Sequence, residues 1–284
     1  MIQIKDMKNK IQSMKKVSEE VGISVKNSQE KNRLWWEKLP MTYADWDSDK
    51  RIPKTKNDFL KIEKLLLDGN PFLRNNYNFN ALKNKKVLEI GCGSGAASCL
   101  FSKGGADVTS VDITDNAIKI TKANAKAQGI KLKAIRKDAE KLDFKNESFD
   151  YVFSWGVLHH SQNTIKAFEK VANILKGGGR GLIMVYNKNS LRYYINGLYW
   201  LLFKGKILNG YNLESVQSFY TDGYYHRHFT PRELKKEIEK LGLKCNKIFI
   251  THMGTKMIPF LPKPVVDWIK NHYGWLLVIE FEKV

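Results

Sequence analysis

The stretch KVLEIGCGSG, residues 86–95, joins an apolar run (Val87, Leu88, Ile90) to a loop in which glycine recurs at Gly91, Gly93 and Gly95. A short buried strand that ends in a glycine-rich turn lets the backbone approach a ligand closely, because no Cβ stands in the way. One carboxylate, Glu89, precedes the first glycine. Residues 94–102 are rich in small, helix-compatible side chains, so the turn is expected to open a helix whose first amides face the ligand. The spacing is G-x-G-x-G. It departs from the G-x-G-x-x-G of dinucleotide binders and turns the reading away from NAD-dependent oxidoreductases.

Further parts follow in order. Residues 107–111 (DVTSV) read as a second strand with Asp112 at its end, 21 positions after Gly91. That is close to the ~20-residue offset at which an acid meets ribose hydroxyls in such folds. Thr114 is suited to cap a helix over 115–128 that stops at Gly129. A third strand, 131–136, leads to Asp138 and Ala139, and a fourth, 150–154, leads through Trp155 to His159 and His160. After a helix over 164–175, the turn Gly177-Gly178-Gly179 feeds a fifth strand, 180–186. Strands alternating with helices of this length specify a parallel sheet covered on both faces.

These segments together resemble the class I S-adenosylmethionine (SAM)-dependent methyltransferases, within the group that includes the ubiquinone/menaquinone-type enzymes. IGCGSG, the acid of SVDIT, KDAEKLDF, FDYVFSWGVLHH and LKGGGRGLIMVY carry the resemblance, which is strong over residues 85–186 and loose elsewhere. It implies a Rossmann-like, doubly wound α/β sheet of seven strands, one of them antiparallel. It implies an enzyme that moves a methyl group from SAM to an acceptor and releases S-adenosylhomocysteine. Gly91, Gly93, Ser94 and Gly95 would surround the methionine part of SAM, and Glu89 would anchor it. Asp112, followed by Ile113, would hold the ribose hydroxyls. Asp138 with the Ala139 amide would read the adenine edge, and Ser154 and Trp155 would border the methionine part and the acceptor.

Other readings stand beside these. Asp112 also suits the start of the following helix, and Asp138 also suits a turn. Cys92 reads as a small filler, since no basic neighbour in sequence lowers its pKa. His159, His160, Tyr186 and His226 are the candidate bases for an acceptor that must lose a proton, yet the His159–His160 pair equally suits holding the loop after the fourth strand. No His, Cys and acidic residues show metal-ligand spacing, so no metal is expected.

Lys and Arg number 48 against 29 acids, a net charge of +19, divided as +8 over residues 1–86, +4 over 87–186 and +7 over 187–284. The excess sits in the flanks. It fits RNA, an anionic membrane surface or an acidic substrate. It fits equally a lysine-rich composition, because 40 of the 48 are Lys, and phosphate readers recruit Arg. Three cysteines, Cys92, Cys99 and Cys245, make no disulfide framework, which suits a reducing cytosol. No apolar run approaches the ~18 residues of a bilayer span.

The flanks are expected to choose the acceptor. Residues 1–80 are expected to form an N-terminal lid: a basic helix over 2–21, a polar stretch, and an aromatic segment, 34–53, with Trp35, Trp36, Met41, Tyr43 and Trp46. Residues 81–284 form the SAM-binding domain, with 187–228 as a second lid. The first half of that insertion, SLRYYINGLYWLLFKGKIL, suits an amphipathic helix over a greasy pocket or on a membrane. The second half gathers Tyr220, Tyr224, Tyr225, His226 and His228. With Trp36 and Tyr43, the three tyrosines are the expected acceptor contacts. Thr230, Pro231 and Glu233 mark a helix start. Strands over 244–250 and 275–281 follow, separated by a proline-bearing connection expected to form another pocket wall. A small, partly apolar metabolite is the expected acceptor. An RNA base is the alternative, and a non-catalytic SAM-binding partner is a third reading. Oligomeric state is not legible here.

Overall fold

The structure, a computed structural model, describes residues 16, 28–39, 41, 53–252 and 261–284. Tyr43, Trp46 and, Lys16 apart, the basic helix expected over 2–21 lie outside the described residues. Helix α1 (Ser28–Lys38) comes first, then α2 (Lys56–Gly69) and the short α3 (Pro71–Asn75). The alternating core runs β1 (Lys86–Ile90), α4 (Ala96–Lys103), β2 (Asp107–Asp112), α5 (Asp115–Gln128), β3 (Lys133–Arg136), β4 (Phe149–Trp155), α6 (Thr164–Ile174) and β5 (Leu175–Asn187). The insertion carries α7 (Leu191–Leu198), and the chain closes with β6 (His228–Phe229), α8 (Pro231–Glu239), β7 (Leu243–Thr251), α9 (Lys263–Tyr273) and β8 (Leu276–Lys283).

The strands form one sheet in the order β3-β2-β1-β4-β5-β8-β7, with the two-residue β6 added parallel to the end of β5. Strands β1 to β5 are parallel, and β8 runs antiparallel between β5 and β7. The order reverses between β1 and β4. At such a switch point the loops leaving neighbouring strands part in opposite directions and open a crevice.

Both sheet faces are buried, which explains the near-continuous apolar strands. Leu88, Val152, Ile183 and Leu277 point to the face covered by Phe168 and Val171 of α6 and by Leu234 and Ile238 of α8. Their neighbours Val87, Phe153, Leu182 and Val278 point to the other face, against Phe59, Ile62 and Leu66 of α2 and Phe101 of α4. Helix α5 begins and ends where its signals stand: the Thr114 hydroxyl accepts from the Ala117 amide at 3.2 Å, and Gly129 closes it with φ +68°.

Three elements depart from the sequence reading. Strand β5 begins at Leu175, because Leu175 pairs with Phe149 and the ladder resumes at Arg180 opposite Tyr151; a register shift absorbs the glycines. The second, β6, is too short for any periodicity to announce. The third is α9, which occupies the connection between β7 and β8, with Pro262 at its N-cap and Pro264 in its first turn. Proline suits that position, where its missing N–H has no helical partner to lose.

Candidate active site

A cavity of about 350 Å³ opens at the switch point, lined at one end by the loop after β1 and at the other by residues from β5, α7 and the β7–β8 connection. Its glycine-loop half is built on strained geometry. Gly91 and Gly95 have φ of +79° and +74°. A Cβ on Gly91 would lie 2.1 Å from Val157, and one on Gly95 would lie 2.8 Å from Thr121. These two glycines make room for protein packing, whereas Gly93 faces the cavity near Met41. Helix α4 therefore starts at Ala96, later than the sequence suggests, because the loop uses every residue through Gly95.

Asp112 holds this loop from the end of β2. One carboxylate oxygen accepts from the Gly93 amide at 3.1 Å, the other from the Thr114 amide at 3.0 Å and hydroxyl at 2.9 Å. Burial raises its pKa, and those bonds oppose the rise. Glu89 lies deeper, accepting from the Ser98 hydroxyl, which in turn lies 2.6 Å from the Ser110 hydroxyl. Burial pushes the Glu89 carboxyl up to about 8, with the nearby Asp112 charge adding to the rise. Asp138 accepts from the Gln29 side chain and from the Glu140 amide, each at 3.0 Å, so it is a turn residue as well as a wall residue. The Cys92 thiol accepts from Thr121 at 3.3 Å, and burial holds it protonated, as a filler requires.

Helix α1 lies across this half. Asn32 donates to the His160 carbonyl at 2.5 Å, Gln29 exchanges two bonds with Gln162, and the Glu37 carboxylate accepts from the Asp115 and Asn116 amides at 2.9 and 3.1 Å. Trp36 meets the His160 ring edge-on at 5.1 Å. α1 thus ties the ends of β2, β3 and β4 together over the cavity.

The outer half is bounded by Trp155, His160, Met184, Tyr186, Arg192, Asp222, His252 and Trp275. Trp155 is fixed by its indole N–H donating to Asn70 at 3.2 Å and by parallel stacking near Phe72 and Phe153. The Tyr225 carbonyl can only accept, so the Nδ1 of His160, 2.8 Å away, carries the proton. His160 Nε2 is then a bare acceptor, buried without a partner. Burial lowers the His160 pKa to about 4, partly offset by the Tyr225 bond and the Asp222 charge. Burial raises the Tyr186 phenol far above its ordinary value, so it stays a donor.

The sequence-predicted residues divide accordingly. Glu89, Gly91, Gly93, Ser94, Asp112, Ile113, Asp138, Ala139, Trp155, His160, Tyr186 and Trp36 all line the cavity. Gly95 and Ser154 stand behind the wall: Gly95 sets up α4, and the Ser154 hydroxyl donates to the Ile90 carbonyl at 3.2 Å, fastening β4 to β1. His159 is fully buried behind His160, its ring 4.0 Å from Tyr186. His226 packs against His228 at 5.3 Å, away from the wall. Tyr220 is buried with its hydroxyl on the Tyr193 carbonyl, Tyr225 uses its carbonyl, and the Tyr224 hydroxyl accepts from Lys31 of α1. Arg192, Asp222, His252 and Asn70 were missed, since each stands in a flank with no motif around it. Arg192 is the instructive case. Its place in an otherwise apolar run was the one available signal.

Residues 88–183 match the family described as a methyltransferase domain. A ubiquinone biosynthesis O-methyltransferase of Aliivibrio fischeri (strain MJ11) is 33% identical over 125 residues, 43% of this chain and 53% of that protein. The chain therefore matches about half the length of such curated relatives. Among solved structures, a SAM-dependent methyltransferase from Methanosarcina mazei superposes with a TM-score of 0.53 at 19% identity, covering 75% of this chain and 97% of that one. Another, from Mesorhizobium loti, gives 0.54 at 18% identity, covering 76% and 99%. These two share the fold. The methyltransferase-domain match falls on the same strands that build the switch-point cavity, so over residues 88–183 the chain is similar to the SAM-dependent methyltransferases.

Proposed function

We propose that this protein transfers a methyl group from SAM to a small, partly apolar acceptor collected in the outer half of the cavity. The observation that carries the reading is the continuity of the cavity, from the carboxylates of the glycine-loop half to the Trp155–His160–Tyr186 wall. The glycine-loop half fits a cationic, hydroxyl-bearing ligand. It presents Glu89, Asp112 and Asp138, together with Ser94 Oγ and Asn32 Oδ1, both buried with no partner of their own. Buried acceptors without donors cost free energy, and a ligand rich in N–H and O–H groups answers them.

When bound, SAM supplies a sulfonium whose methyl group is already electrophilic. The chain's own residues position, exclude water and manage a proton. Trp155 and Met184 wall the passage between the two halves, and α1 with Trp36 closes it from above as a lid, which favours in-line approach over hydrolysis. His160 Nε2 accepts a proton from a hydroxyl or phenol, and the Asp222 charge stabilises the imidazolium that forms. Tyr186 donates a hydrogen bond and orients the acceptor. His159, held behind the wall, has a packing role. The acceptor class follows the printed activity of the relatives, O-methylation in ubiquinone biosynthesis. The three free cysteines suit a cytoplasmic, reducing setting.

The test is incubation of the purified protein and methyl-labelled SAM with extract of cells lacking it, followed by separation of RNA, lipid and soluble small molecules. Label in a small molecule supports the reading, and label in nuclease-sensitive RNA replaces it. Label nowhere, despite measurable SAM affinity, favours a non-catalytic SAM binder. With the acceptor identified, His160→Ala should lower kcat about 10²-fold or more, the span of general-base catalysis. His159→Ala should act through stability, with kcat per folded molecule nearly unchanged.

A further inference from the structure

The helix that follows β5 is apolar on two sides. α7 and the π-helical turn that extends it over Tyr199–Phe203 bury Tyr193, Gly197 and, less completely, Leu201, at four-residue spacing. The face between them points to solvent and is equally greasy. It carries Ile195, Leu198, Tyr199, Leu202 (59% exposed) and Phe203 (81%), and the next turn adds Leu208 (89%). Folded chains rarely leave so much contiguous apolar surface to water. The charges beside it are of one sign. Lys188, Arg192, Lys204 and Lys206 are the charged residues of 187–213, and no acid stands among them. Lys204 lies 5.7 Å from the Tyr199 ring and Lys206 4.8 Å from the Phe219 ring, so both cations border the apolar face.

We propose that this face docks the protein on an anionic lipid bilayer, with the apolar stripe at the acyl boundary and Lys204 and Lys206 among the headgroups. Apolar burial and attraction between cations and anionic lipid act together in such a contact. A second copy of the chain is a poorer occupant. A two-fold contact would bring the same patch against itself, setting Lys204 and Lys206 against their own copies. The net charge of +19 likewise repels a copy and draws the chain to a negative surface. Among the described residues no helix is long and apolar enough to cross a membrane, so the contact is peripheral.

Docking has a consequence for the site. Arg192, on the same helix, reaches the cavity wall and stacks over Trp275 at 4.4 Å. The outer half of the cavity therefore lies beside the docked face, where an acceptor dissolved in lipid can be collected. That consequence rests on the methyl-transfer reading; the docking does not.

The experiment is co-sedimentation of the whole chain, without SAM, with vesicles of phosphatidylcholine alone and of phosphatidylcholine and phosphatidylglycerol in equal parts. SAM affinity is measured separately by calorimetry. The wild type should bind the anionic vesicles and lose roughly tenfold or more in affinity on neutral ones or in high salt. L202E/F203E should lose roughly tenfold or more with SAM affinity intact, and K204E/K206E should weaken binding and flatten its salt dependence. The proposal is overturned if the wild type leaves vesicles unbound, or if neither double variant changes binding. It is also overturned if L202E/F203E splits a dimer in light scattering while vesicles stay unbound, as a second-copy interface requires. Absence of SAM affinity would sink the methyl-transfer reading and leave the vesicle result standing.

Discussion

Glu89 points from β1 toward α4, where it accepts from the Ser98 hydroxyl, which also meets the Ser110 hydroxyl of β2. Its carboxyl titrates near 8 because burial penalises the charge and Asp112 repels it. The folded protein therefore keeps a proton that the unfolded chain releases near 4.5, and this group's contribution to stability falls as pH rises between those values. A cationic ligand reverses the preference, because it favours the carboxylate. SAM binding should release a proton at neutral pH, and its affinity should rise by up to about tenfold per pH unit between pH 6 and 7.5. Calorimetry in buffers of different ionisation enthalpy measures both effects. Glu89→Gln should flatten the profile, and an unchanged profile would remove Glu89 from the cofactor contacts. Glu89 and Asp112 were legible in the sequence because their motif spacing ties them to the loop. The proton on Glu89 was not, since it depends on the depth of the carboxyl and on a neighbour 23 positions away.

Helix α1 shows what an element's own pattern leaves unsaid. Two adjacent tryptophans announce packing, and Trp35 is indeed buried, but nothing in residues 28–38 says what they pack over. The structure sets the Glu37 carboxylate at the first amides of α5, where a negative charge is favoured, while Asn32 and Gln29 hold the loops after β4 and β3. Glu37→Ala should lower stability by about 1 kcal/mol, the scale of a lost helix cap, and weaken SAM binding severalfold. Urea denaturation and SAM titration check the two halves of that statement. A stability loss with SAM affinity untouched would make α1 a structural strap with no part in closing the site.

At the scale of the molecule, one sheet carries both apolar layers, so neither layer can melt alone without exposing the back of the other. Unfolding should be a single transition, and S-adenosylhomocysteine at a hundredfold its Kd should stabilise the whole by about 2.7 kcal/mol. Asp112→Ala should remove about 1.5–3 kcal/mol of that affinity through the lost charged hydrogen bonds. Two calorimetric transitions, only one of them sensitive to ligand, would contradict the single-core description.

The sequence by itself determined the alternation of strands and helices, the glycine loop, the acids at the ends of β2 and β3, and the caps of α5 and α8. Each of these depends on side chains acting within a few residues of one another, through period, turn chemistry or hydrogen bonds to the nearest amides. Tertiary structure decided everything that needs two distant segments to meet. It put His160 on the cavity wall and His159 behind it, although the two are adjacent in the chain and equivalent in chemistry. It brought Arg192 and Asp222 from the β5–β6 connection and His252 from the β7–β8 connection to one chamber, turned the proline-bearing stretch after β7 into α9, and left the outer face of α7 facing water. The reason is physical: local patterns set which face of an element is apolar, but only the sheet order sets what that face meets.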